Sequence, residues 1–166
     1  MAKSTGAPML LARLQILAPE ARSVLLARAQ PEGTVEPLAR EVAAAAAQAG
    51  FAGRLARVPG SDDSRYGSAP SRLSGLPDAE LTELQIDMKE LRETERARAA
   101  LHAGGGYTVV AGGSILDSPE TLLLCRAVDV VVLVGYRAKT LRSDLEAARD
   151  AVERAGGRLA GAVFVD

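Results

Sequence analysis

A chain of 166 residues, 48% hydrophobic and 25% charged, is long enough for one domain with a complete core. Its net charge of −1, with basic residues interspersed among acids, argues against nucleic-acid binding and against adhesion to an anionic membrane. A single cysteine excludes an intrachain disulfide, and no run approaches the roughly 20 apolar residues of a membrane span, so a cytoplasmic chain without direct membrane insertion is expected.

Met1 to Pro8 is small and polar and reads as a flexible lead-in, leaving residues 9–166 as a single domain. Met9 to Leu17 is an apolar helix candidate, interrupted by Arg13 and Gln15 and stopped by Pro19. Ser23 to Arg28 is a near-continuous apolar run, the pattern of a parallel strand buried on both faces. A turn from Ala29 to Thr34 leads into an Ala-rich helix from Glu36 to Ala49, with Pro37 in its first turn and Gly50 as its stop. Arg54 to Val58 reads as a second strand and Pro59 to Pro77 as an extended loop. Asp78 could cap a helix from Ala79 to His102, in which Leu81, Leu84, Met88 and Leu91 form one apolar stripe facing the core, and Glu90 to Arg98 a solvated charged face.

Gly104 to Gly106 breaks that helix. Tyr107 to Ala111 is the third strand, Gly112-Gly113-Ser114 a turn, and Ser118 to Ala127 a short helix with Pro119 at its first position. Asp129 to Val134 is the most hydrophobic strand, Leu141 to Ala155 a helix, and Leu159 to Val165 the last strand. The alternation predicts an α/β domain, a mainly parallel sheet of about five strands with helices on both faces. Cys125, in the run Leu122-Leu123-Leu124-Cys125, reads as a buried, inert thiol. His102, with no Cys or second His nearby, reads as a solvated or capping residue rather than a metal ligand.

The segment from Ser23 to Gly50 has the strand–loop–helix layout of a phosphate-loop NTPase. A working loop places a lysine for the β/γ-phosphates and a hydroxyl for Mg²⁺ where the helix begins. Here Val35 and Glu36 hold those positions. Glu36 sets a carboxylate at the helix start that ordinarily attracts anions.

The C-terminal third carries a more specific likeness. Ser118-Pro119-Glu120-Thr121-Leu122-Leu123-Leu124 followed by Val128-Asp129-Val130-Val131-Val132-Leu133-Val134 resembles the "DALLLA…VDGVLLVV" passage of the bacterial polysaccharide-export tyrosine kinases, the BY-kinases. These belong to the MinD/ParA-like branch of phosphate-loop ATPases. Lys139-Thr140-Leu141-Arg142-Ser143-Asp144-Leu145 and Ala155-Gly156-Gly157-Arg158-Leu159-Ala160-Gly161-Ala162-Val163 are similar to that family's closing passage. The resemblance implies a phosphate-loop-type fold whose three catalytic motifs are all altered. Ala29, Pro31, Gly33, Thr34, Val35 and Glu36 occupy the phosphate loop without its lysine or hydroxyl. Pro59 and Ser61 stand where an acidic pair would help bind magnesium, and Ala111 replaces the acid that ends the third strand. The helix around Arg13-Leu14 matches one used by the family in subunit contacts, without the usual acid upstream.

By that resemblance the chain is expected to be a catalytically inactive domain with no catalytic residue, metal or cofactor. It would be an interaction or regulatory module in exopolysaccharide or capsule chain-length control and export. Its expected partner is a membrane-bound chain-length regulator, a partner kinase, or itself, at the inner face of the membrane through that partner or a fused segment. Two alternatives stay open: a divergent nucleotide-binding or hydrolysing enzyme using Asp62, Asp63 or Glu36, and a small-molecule sensor. The sensor would use Gly112, Gly113 and Ser114 as a nest of backbone N–H groups at the sheet edge.

Overall fold

The computed structural model describes residues 6–57, 82–86 and 88–166. In chain order the elements are α1 (Gly6–Leu17), β1 (Ser23–Arg28), α2 (Glu36–Gln48), β2 (Gly53–Arg57), β3 (Thr82–Gln85), α3 (Met88–Arg92), α4 (Thr94–His102), β4 (Tyr107–Ser114), α5 (Pro119–Ala127), β5 (Val130–Tyr136), α6 (Arg142–Arg154) and β6 (Leu159–Val165). The strands form one six-stranded sheet in the order β3-β2-β4-β1-β5-β6, and every pairing is parallel.

Burial explains why the strands read as they do. In β1, Val24 and Leu26 enter one core while Leu25 and Ala27 enter the other, so the segment is apolar on both faces. The first core is completed by Ala7, Leu11 and Leu14 of α1 and by Ala39, Val42, Ala43 and Ala46 of α2. The second is completed by Leu91 of α3, Ala97 and Leu101 of α4, Leu124 and Cys125 of α5, and Ala148 and Val152 of α6. The alanines of α2 recur at helical spacing and let that helix lie close to the sheet. A Cβ at Gly53 would come within 2.5 Å of the Ala43 carbonyl oxygen, so the start of β2 has room for glycine alone. Ser118 caps α5, its hydroxyl accepting the Thr121 N–H at 3.3 Å.

The expected parallel sheet with helices on both faces is present, with three local departures. The helix expected over Ala79–His102 is instead β3 followed by two shorter helices, separated where Glu93 adopts extended angles (φ −105°, ψ 98°). Thr82–Gln85 pairs with Arg54–Arg57 of β2, so hydrogen bonding across the sheet wins over the helical spacing of the leucines. Leu91 does face the core, at 1% exposure, whereas Leu81 and the side chains of Leu84 and Met88 lie outside the described residues. Gly112, Gly113 and Ser114, expected as a turn, continue β4, and the ladder slips there so that Arg28 pairs with Ser114. The first helix begins at Gly6 rather than at Met9.

Cys125 is 1% exposed, and burial pushes its thiol up to about 12. Thiol titration of the native protein at pH 8 is therefore expected to run at least about 100-fold slower than in denaturant. A native rate near that of the unfolded chain would contradict this packing.

Candidate functional site

The loop from Ala29 to Val35 leaves the carboxyl end of central strand β1, the edge at which open α/β sheets take ligands. Its path is set by hydrogen bonds made inside the protein. The Ala29 N–H extends the ladder to the Val134 carbonyl at 3.1 Å. Gln30 is 6% exposed; its amide nitrogen donates to the Glu32 carbonyl at 3.0 Å, and its amide oxygen accepts the Thr140 hydroxyl. Thr140 also accepts the Tyr136 N–H at 2.7 Å, tying the loop to the end of β5.

Tyr136 is the central contact. Its hydroxyl accepts the Thr34 N–H at 2.9 Å and donates to the Thr34 carbonyl. The ring lies against Gly33, where a Cβ would approach its carbons to 2.5 Å and where φ is +99°, so both space and backbone angle call for glycine. The Arg28 guanidinium donates to the Gly33 carbonyl. The Glu36 N–H donates to the Thr34 hydroxyl at 3.3 Å. A phosphate loop works by aiming free backbone N–H groups at an anion. Here the N–H groups of Thr34 and Glu36 already have acceptors within the chain.

The two positions that would carry the lysine and the hydroxyl have other roles. Val35 is 2% exposed and belongs to the core beneath α2. Glu36 opens α2, and its Oε1 accepts Nε and Nη2 of Arg40 at 3.0 and 2.8 Å together with Nη2 of Arg57 at the end of β2. The carboxylate at the helix start is thus held by two guanidiniums. Between Gln30–Gly33 on one side and Tyr136, Lys139 and Asp144 on the other lies a cavity of about 290 Å³.

Next along the edge, Ala111 is buried and carries no acid. The Gly113 N–H is taken by the Thr121 hydroxyl at 2.9 Å, and Gly112 lies against Leu25 and the Leu26 carbonyl. Neither glycine has a positive φ, so this extended strand does not form the nest of N–H groups that the sensor alternative uses. Pro59, Ser61, Asp62 and Asp63 lie outside the described residues. Among the described residues no group of three His, Cys, Asp or Glu side chains is placed to hold a metal ion.

His102, expected as a solvated or capping residue, stands in a side-chain cluster with Asp129 and Ser23. At the opposite edge of the sheet its Nε2 lies 3.2 Å from both Asp129 Oδ2 and Ser23 Oγ. Asp129 Oδ2 also accepts the N–H groups of Arg22 at 2.7 Å and Ser23 at 3.1 Å, and the Asp129 N–H donates to Ser23 Oγ at 2.8 Å. Ser23 and Asp129 meet the same ring nitrogen, whereas a nucleophilic triad uses both nitrogens in relay. With Ser23 fully buried, the cluster is a clamp joining the starts of β1 and β5 to the end of α4. Tyr136, Arg57 and Asp129 were not legible as site residues. Tyr136 was signalled only as an aromatic ending an apolar strand in an aromatic-poor chain, and Arg57 only as a cation ending another strand.

No protein-family model matches the sequence, and no curated protein matches it. Solved structures do. The fold is similar to the chimerical protein CapA2B2, with a TM-score of 0.73 and 14% identity over 99% of this chain and 84% of that one. It is similar to the kinase domain of the Escherichia coli tyrosine kinase ETK, with a TM-score of 0.69 and 14% identity over 92% and 70% of the two chains. The BceF tyrosine kinase domain has a TM-score of 0.66 and 16% identity over 95% and 75%. The resemblance read from the sequence is therefore present as a likeness of fold.

Tyr136→Phe removes the hydroxyl and leaves the Thr34 N–H and carbonyl without it, so urea unfolding is expected to show a loss of about 1–2 kcal/mol with unchanged m-value. Asp129→Ala strips two backbone N–H groups and His102 of their acceptor, with an expected loss of about 1–3 kcal/mol. Wild-type midpoints for either variant would contradict the corresponding contact.

Proposed function

We propose that this chain is a catalytically inactive domain of BY-kinase-like fold that serves as an interaction or regulatory module. The observation that carries this reading is the internal occupation of the phosphate loop: Tyr136 holds the Thr34 N–H, and Glu36 is held by Arg40 and Arg57. Phosphoryl transfer depends on a cationic clamp, a metal-binding hydroxyl and carboxylates that position metal and nucleophile. Val35 offers no charge, Glu36 offers the wrong one, and Ala111 offers no carboxylate.

The setting is proposed from the sequence resemblance and the likeness of fold together. The domain acts in exopolysaccharide or capsule chain-length control and export, at the inner face of the membrane. It acts there through a membrane-bound chain-length regulator, a partner kinase, or another copy of itself. Met9 and Ile16, 58% and 80% exposed and seven residues apart on α1, supply an apolar contact face for such an assembly.

Isothermal titration with Mg–ATP tests the central point. No magnesium-dependent binding in the micromolar range is expected, and none is expected after Asp62→Asn or Asp63→Asn. Micromolar binding that vanishes on chelation of magnesium contradicts the proposal.

A further inference from the structure

The two edges of the sheet are built differently. β3 at one edge is four residues long and includes Glu83 and Gln85. β6 at the other is seven residues, Leu159-Ala160-Gly161-Ala162-Val163-Phe164-Val165, without a charge, a proline or a polar side chain. Short, charged strands block edge-to-edge pairing, and long apolar ones invite it. Among the described residues no strand lies beyond β6, and none of its seven residues is buried, whereas β1, β4 and β5 are buried almost throughout.

The backbone of β6 is half used. Its ladder with β5 is irregular around Ala160 and regular from Gly161 to Val165. The Val165 carbonyl accepts the Arg137 N–H at 2.9 Å, so Val165 turns its polar groups toward β5. By the two-residue alternation of a strand, Gly161 and Val163 do the same, and Ala162 and Phe164 turn theirs outward. Apolar side chains stand beside the open groups at the carboxyl end of the strand. The Phe164 ring lies over Gly135, where a Cβ would come within 2.9 Å of it, and is still 46% exposed. Leu141, next in the chain to the Thr140 that borders the same glycine, is 63% exposed.

Charge selects what can cover this edge. Arg158 precedes the strand and Asp166 follows it, each four residues from Ala162. An antiparallel copy of β6 centred on Ala162 sets Arg158 of each protomer beside Asp166 of the other, at both ends of the pair. Within one chain Arg158 meets Glu20 at 2.8 Å and Asp166 meets Arg137 at 3.5 Å, in exposed ion pairs. Such pairs are worth little, so exchanging them across an interface costs little. The centre of the edge is open: a Cβ at Gly161 would meet no atom within 4 Å.

We infer that β6 is a dimerisation edge, through which two copies of this chain pair antiparallel about a twofold axis at Ala162 and join their sheets. The pairing rests on the self-association proposed above and gives it a place on the molecule, and it is independent of whether the phosphate loop takes a nucleotide. One strand pair buries less than the roughly 1,600 Å² of a standard interface, so the dimer is of micromolar strength.

Sedimentation velocity of the wild type from about 1 to 300 µM is expected to pass from monomer to dimer. Ala162→Pro removes an outward N–H while leaving the β5 ladder its bonds, and is expected to weaken the dimer at least about tenfold. Arg158→Glu and Asp166→Lys each set like charges at both ends of the pair. Each is expected to weaken the dimer about two- to threefold at low salt, and the double variant to regain wild-type affinity. Circular dichroism checks the folding of each variant, and if Ala162→Pro does not fold the charge reversals decide. A wild type that stays monomeric overturns the inference, as does assembly that runs past the dimer into open-ended aggregates. A dimer indifferent to Ala162→Pro, or single reversals that the double variant does not rescue, overturns it equally. A monomeric wild type leaves the inactive-domain reading standing with its other partners, since Mg–ATP binding decides that reading separately.

Discussion

A loop that leaves a strand buried on both faces cannot leave its backbone polar groups without partners. β1 sits between β4 and β5 with cores above and below, and the loop that follows it bends straight into α2. In a phosphate-loop enzyme the nucleotide supplies acceptors for those N–H groups, and the empty loop is tolerated because water can reach it. In this chain acceptors for the Ala29, Thr34 and Glu36 N–H groups are built in. The Tyr136 hydroxyl bridges the N–H and carbonyl of Thr34, and Gly33 is the residue whose missing side chain lets the ring come near. The same tyrosine lines the cavity between the loop and the end of β5.

The same logic governs the charges. A lysine at position 35 would have to leave the core beneath α2, where Val35 is 2% exposed, so the apolar residue there belongs to the packing. A carboxylate at position 36 would repel phosphate if it stood alone. Paired with Arg40 and Arg57 it becomes part of the framework, linking the first turn of α2 to the end of β2. Pairs this well withdrawn from water are costly to break one partner at a time, so Glu36 and its arginines act as a unit.

Much of the fold was legible because its strands are short apolar runs with clear stops. Ser23–Arg28 and Leu159–Val165 fall where the residue pattern places them, and the Ser118-Pro119 cap marks the start of α5. The stretch around Leu84 was misread because helical spacing over so few residues cannot be told from an edge strand whose partner, Arg54–Arg57, is distant in sequence. Gly112-Gly113 was misread for a related reason. Glycines suggest a turn, but here Gly112 lets β4 run closely past Leu25 and Leu26, while Gly113 lies against Ser118 and Thr121. The loop's lack of a phosphate-loop lysine and hydroxyl could be seen in Val35 and Glu36 alone. The loop's internal partners could not, since Tyr136 and Arg57 reach the loop across 102 and 21 residues of sequence.

The Thr34 N–H of the loop is satisfied by the protein itself, through the Tyr136 hydroxyl. Amide hydrogen exchange at Thr34, followed by NMR with and without Mg–ATP, tests it most directly. The Thr34 amide should exchange slowly in the free protein, lose protection in Tyr136→Phe, and be indifferent to Mg–ATP. Fast exchange in the free protein that slows when Mg–ATP is added would contradict the claim.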